Sequence, residues 1–104
     1  MSISVRGPID AGHSHVLYDL EVDGHGFSVT FYRGLESAGE SGAWRAEIEF
    51  AHVVSRAVTS EGTTRQAAFR TAYAMHADAL SRGLPLPDID WPGVDRALAA
   101  KGAF

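Results

Sequence analysis

Val16-Leu-Tyr-Asp-Leu-Glu-Val-Asp-Gly-His-Gly-Phe-Ser-Val-Thr-Phe-Tyr32 is the stretch that decides the fold. Val16, Tyr18, Leu20 and Val22 alternate with Leu17, Asp19 and Glu21; after the glycines, Phe27, Val29 and Phe31 alternate with Ser28, Thr30 and Tyr32. Successive side chains of a strand point to opposite faces, so each run gathers its apolar residues on one side. A two-residue turn at Gly24-His25 pairs Val22 with Phe27, Leu20 with Val29 and Tyr18 with Phe31, and every apolar side chain then shares a face. A slip of one residue would put half of them in water. The stretch predicts a β-hairpin whose apolar face another element must cover.

On the amino-terminal side, residues 1–13 contain Gly7, Pro8 and Gly12 without a sustained period, and read as an irregular leader with a short strand at Ile3-Val5. On the other side, the glycine- and serine-rich residues 34–42 read as a connection. A third strand is expected at Trp44–Phe50, with Trp44, Ala46, Ile48 and Phe50 inward, and a fourth around His52–Thr59. Glu61-Gly62 is expected to break the sheet. Thr63 with Gln66 forms a capping-box pattern that starts a helix, running to about Arg82 and closed by Gly83 in a left-handed conformation. Phe69, Ala72, Tyr73, His76 and Leu80 fall on one stripe of it. After the linker Leu84-Pro-Leu-Pro-Asp88, a shorter helix begins near Pro92, ends at Gly102 and buries Trp91, Val94 and Leu98. The expected fold is α+β: an antiparallel sheet of three to four strands in β-β-β-(β)-α-α order, with one long helix packed across one face and a short carboxy-terminal helix. Residues 1–104 make one domain, divided into leader (1–13), sheet plus helix (14–83), and linker with short helix (84–104).

Composition narrows the function classes. The 104 residues are 45% hydrophobic and carry a net charge of −4, which gives a core and excludes a disordered chain. No apolar run reaches the ~20 residues needed to span a bilayer, so no membrane role is expected. The absence of cysteine removes disulfides, thiolate metal sites and thiol nucleophiles. Non-specific nucleic-acid binding is mostly phosphate neutralisation, which an acidic chain disfavours. No basic-then-apolar leader opens the sequence, so the expected location is the cytoplasm. Eight of the nine basic residues are arginine, and alanine and glycine abound, as GC-rich coding in a bacterium would give.

Five histidines are the first place to look for chemistry. His13 and His15 would point the same way on a strand, but a metal site normally takes three protein ligands or more, and paired surface histidines are expected instead. His25 belongs to a turn and His52 to a strand boundary. His76 sits on the apolar stripe of the long helix. It reads as a core histidine with one ring nitrogen bonded to backbone, Tyr18 or Tyr73, and alternatively as a general base in a helix–sheet pocket made with Tyr73 and Tyr18. Asp19, Glu21, Glu47 and Glu49 share the outer sheet face with Arg45, where a solvated polar face is the expected reading. There is no Gly-x-Ser-x-Gly elbow, Walker loop or His-Glu-x-x-His. No catalytic, cofactor-binding or metal-binding residue is assigned, and no cofactor is expected.

Two segments carry a family resemblance. Asp23-Gly-His-Gly-Phe-Ser-Val-Thr-Phe-Tyr32 resembles the second-strand motif of HicB-type antitoxin domains, and Glu61-Gly-Thr-Thr-Arg-Gln-Ala-Ala-Phe-Arg-Thr-Ala72 resembles their Gly-x-Thr-x-x-Glu-Ala-x-x-x-Ala helix start. The resemblance covers about residues 16–80. It implies a small sheet-plus-helix module akin to the double-stranded-RNA-binding fold, acting by covering the active surface of a partner toxin. The chain departs from the pattern at Gln66, where the motif has an acid, and in the strand Trp44–Phe50 between the motifs. The segment after Gly83 is expected to offer only one short helix, so a separate DNA-binding domain is not expected in it. The leading expectation is a small, non-catalytic, protein-binding bacterial module, antitoxin-like, with a protein partner or self-association as a homodimer through a sheet edge. The alternatives are a ligand-binding protein or enzyme with the His76 pocket, and an RNA-binding module using Arg65, Arg70 and Arg82.

Overall fold

A computed structural model describes residues 2–11, 15–33, 44–50 and 57–104. Its elements in chain order are β1 (Ile3–Ala11), β2 (His15–Val22), β3 (His25–Arg33), β4 (Trp44–Phe50), β5 (Ala57–Gly62), α1 (Arg65–Ser81) and α2 (Trp91–Ala100). The five strands form one antiparallel meander in the order β1-β2-β3-β4-β5. Both helices lie on the same apolar face, α1 over β4 and β5 and α2 against β1. The α+β class, the antiparallel sheet and the long-then-short helix pair are as the sequence predicts.

The strand count is five rather than three to four. The leader is not irregular: residues 3–11 pair along β2 from Ile3↔Val22 to Ala11↔Val16, with a register break between Arg6 and Asp10. That bulge adds two residues to β1, which keeps both halves on the same faces; Gly7 and Pro8 inside it are what read as a break in a strand. Glu61-Gly62 likewise ends β5 rather than breaking the sheet, since Gly62 pairs with Trp44. Residues 34–43, His13 and His52 lie outside the described residues, as does most of the predicted strand start before Ala57.

The hairpin forms, but its turn is Asp23-Gly24 and its register is Val22↔His25, Leu20↔Phe27, Tyr18↔Val29 and Val16↔Phe31. This differs by two residues from the pairing predicted with a Gly24-His25 turn. A shift of two keeps every side chain on its face, so the apolar pattern permits both registers. Turn chemistry decides between them: Asp23 (φ 49°) and Gly24 (φ 85°) both take the left-handed backbone that a type I′ turn requires, and Asp-Gly suits it best.

Tyr18, Leu20 and Val22 of β2, Phe27, Val29 and Phe31 of β3, and Ala46, Ile48 and Phe50 of β4 are buried on the helix side. Against them α1 sets Ala68, Phe69, Ala72 and His76, and α2 sets Trp91, Val94 and Leu98. Each large apolar side chain so covered contributes roughly 1.5–3 kcal/mol. The cap of α1 is Thr64, whose hydroxyl accepts from the Ala67 amide at 3.1 Å, one residue later than the predicted Thr63 box. Both helices end in the same way: Leu84 N–H reaches Ala79 O and Ala103 N–H reaches Leu98 O, with Gly83 and Gly102 at positive φ. No helix among the described residues is long and apolar enough to cross a membrane.

Candidate functional site

Of the candidate pocket residues, His76 is fully buried in the middle of α1. Its ring lies between Phe50 (centroids 4.9 Å apart) and Trp91 (5.0 Å). Nε2 is 3.0 Å from the Pro87 carbonyl, which can only accept, so Nε2 carries the proton and Nδ1 presents a bare, unpartnered lone pair. The carbonyl comes from the linker between the helices, so His76 pins that linker to α1. Tyr73, one turn earlier on α1, stacks parallel on Trp91 at 5.7 Å. Tyr18 stands apart: it is buried edge-on to Phe31 at 6.3 Å and shares no ring contact with Tyr73 or His76. The fold thus gathers two of the three residues around Trp91 and leaves the third elsewhere in the core.

His76 lines neither of two hollows that open on the described surface. One, of about 710 Å³, runs beside Tyr73 and Trp91 and is rimmed by Asp23, Asp88 and Asp90. The other, of about 400 Å³, lies on the outer sheet face where Gly26 leaves a gap among Arg6, Asp19, Glu21 and Glu49. The outer-face acids are interleaved with neutral or basic partners: Asp19 faces Arg6 and Ser28, Glu21 faces Ser4 and Gly26, Glu47 faces Thr30 and Thr59, and Glu49 faces Ser28. None of the four stands directly opposite another. Among the described residues no group of three His, Asp or Glu side chains is placed to hold a metal ion.

Sequence reading missed Asp95, the one buried carboxylate among the described residues. It is 7% exposed on α2 and receives Gln66 Nε2 at 3.1 Å and Arg70 Nε at 3.1 Å, both from α1. The hydrogen bond and the charge of Asp95 raise the Arg70 guanidinium above its ordinary pKa. A signal was present: Trp91, Val94, Asp95 and Leu98 follow the spacing of a buried helical stripe, and a carboxylate on such a stripe needs a donor. Gln66, read as half of a capping box, is that donor's neighbour one turn from Arg70.

The sheet edges differ. β1 carries Pro8, which has no N–H to offer, and the bulge between Arg6 and Asp10, two devices that blunt an edge. β5 has a regular register from Ala57 to Gly62 and no proline, and no other described element pairs with its far side. Among the large apolar side chains of the described residues only Ile9, Met75 and Leu84 are exposed, Met75 to 49%.

Replacing His76 by leucine is expected to lower stability by about 1–2 kcal/mol. The Pro87 carbonyl loses its donor, while the orphaned Nδ1 disappears and leucine keeps the packing against Phe50 and Trp91. A urea titration measures the change; no loss at all would mean the ring is not tied to the linker. Compared with protein-family models, with curated proteins and with solved structures, the chain matches none.

Proposed function

We propose that the chain is a cytoplasmic, non-catalytic binding module whose working surface is the uncovered edge of β5, which takes an extended protein segment as a sixth strand. The observation that carries this reading is the contrast between the two edges: β1 is blunted by Pro8 and a bulge, and β5 is regular and, among the described residues, unpaired on its far side. Unpaired backbone groups along such an edge supply affinity, and the flanking side chains supply selectivity. Covering a partner's surface, as the antitoxin resemblance implies, is a use to which such an edge is suited. The enzyme alternative has less support, because His76 is enclosed and bonded to Pro87. The RNA alternative has less as well: Arg70 is held by Asp95, Arg82 by Asp78 at 3.1 Å, and Arg65 lies over the Trp44 ring. These helix arginines do not form a free phosphate-binding row.

Thr59 is exposed on β5, and lysine there adds an edge-blocking charge without disturbing the core. With the chain immobilised and exposed to extract of its native host, a partner held by the wild type is expected to be retained about tenfold less by Thr59→Lys. Circular dichroism checks that the variant is folded. A wild type that retains nothing and is also monomeric, or partners held equally by both forms, would overturn the reading.

A further inference from the structure

We infer that the occupant of the β5 edge is a second copy of this chain, joined about a two-fold axis with Met75 of α1 packed across the junction; this rests on the edge reading above. The direction in which Met75 points follows from helix geometry. Gln66 and Arg70 reach Asp95 on α2, so they mark the flank of α1 that faces α2. At 3.6 residues per turn, Met75 lies roughly 140–180° around the helix from both. α2 lies on the β1 side of the molecule and α1 over β4 and β5. The flank opposite α2 therefore overhangs the free edge of β5. It carries Thr71, Met75, Asp78 and Arg82, and the methionine is 49% exposed. An open strand and an exposed apolar side chain above it form one continuous surface.

Charge selects the occupant. The chain carries a net −4, so two copies repel over most of their surfaces. Along this surface each acid is neutralised within its own chain: Glu61 by Arg45 at 2.7 Å and Asp78 by Arg82 at 3.1 Å. Among the described residues these pairs leave the surface with no net charge to select a charged partner, and a like-charged copy meets no net repulsion there.

Geometry fits as well. Every neighbouring pair in the sheet is antiparallel, and a two-fold beside β5 continues that pattern with an isologous contact. Registers that keep outer-face residues opposite one another include the one centred on Thr59, which sets two threonines face to face, a favourable cross-strand pair. With strands about 4.8 Å apart, a helix over the β4–β5 boundary stands roughly 5 Å from the axis. The two copies of α1 then run antiparallel about 10 Å apart, the spacing of packed helices. Thr71 is small enough to permit that approach, and Met75 fills the space between.

Light scattering on the full chain is expected to give twice 11.1 kDa at about 100 µM. Met75→Glu and Thr59→Lys, both at exposed positions, should each weaken the dimer at least about tenfold with unchanged circular dichroism. A monomeric wild type, or a dimer that either substitution leaves intact, would overturn the inference. A monomer that still loses a host partner on Thr59→Lys would overturn only the second copy and leave the edge reading standing. A dimer broken by both substitutions supports the inference.

Discussion

Trp91→Ala is expected to cost about 3–5 kcal/mol, a large part of the 5–15 kcal/mol that holds a small domain together. Trp91 opens α2 and is 5% exposed, and its ring meets a side chain from each neighbouring layer. Phe27 of β3 lies at 5.4 Å, and Phe69, Tyr73 and His76 of α1 lie at 6.0, 5.7 and 5.0 Å. Removing the indole loses its transfer free energy and leaves a cavity walled by β3 and α1, two elements that cannot both close in on it. His76 would lose one of its two ring neighbours, and with it much of what holds its bond to Pro87 in place. A thermal scan should show a fall of roughly 4–8 °C for each kcal/mol lost. Trp91→Phe should recover part of the loss, since a smaller ring keeps contact with Phe27 and Phe69. A fall worth less than about 1.5 kcal/mol would mean that Trp91 is not the wedge between the layers.

How far the sequence can be read depends on which physical signal each feature leaves in it. Burial on one face leaves a period, so β2, β3, β4 and the stripe Phe69, Ala72, His76 were legible. Register within a face leaves none, because steps of two preserve the pattern, and only the Asp23-Gly24 turn chemistry separates the alternatives. β1 was obscured by Gly7 and Pro8, residues that read as a break in a strand. Thr63 and Thr64 are equally able caps by composition. Thr64 holds the role, and Gln66, which would have completed the box with Thr63, is drawn instead to Asp95.

The candidate site divides in the same way. That His76 faces the core followed from its place on the stripe. Its partner did not, because the path that brings the Pro87 carbonyl to it is set by the packing of the linker and leaves no local mark. The sequence places Tyr18 and His76 on facing layers of one core; sharing a core does not entail contact, and Phe31 is the ring Tyr18 meets. The β5 edge was visible only as the last strand of a sheet. Its pairing with Met75 required knowing on which side of α1 the second helix sits.

Gly62→Val tests the seat of α1 on the sheet, and its expected sign opposes what local preference predicts. Valine is among the residues best suited to a strand, and replacing glycine usually stabilises a chain by restricting its unfolded state. Yet a Cβ built at Gly62 would lie 2.6 Å from the Ala68 nitrogen and 3.0 Å from Ala67 C and Ala68 Cα. Those atoms are the backbone of the first turns of α1, which cannot swing aside as a flexible side chain can. The helix would have to lift from β5, pulling Phe69 from its place against Phe31 and disturbing the Trp44 ring that lies opposite Gly62 and beneath Arg65. Overpacking against backbone is expected to cost about 3 kcal/mol or more, with Gly62→Ala intermediate. Gly26→Ala is the control: nothing lies within 4 Å of its Cβ position, so the change should be neutral or stabilising. Urea midpoints for the three variants measure the order. If Gly62→Val proved as harmless as Gly26→Ala, α1 would not rest on the end of β5, and the flank bearing Met75 would not overhang the edge.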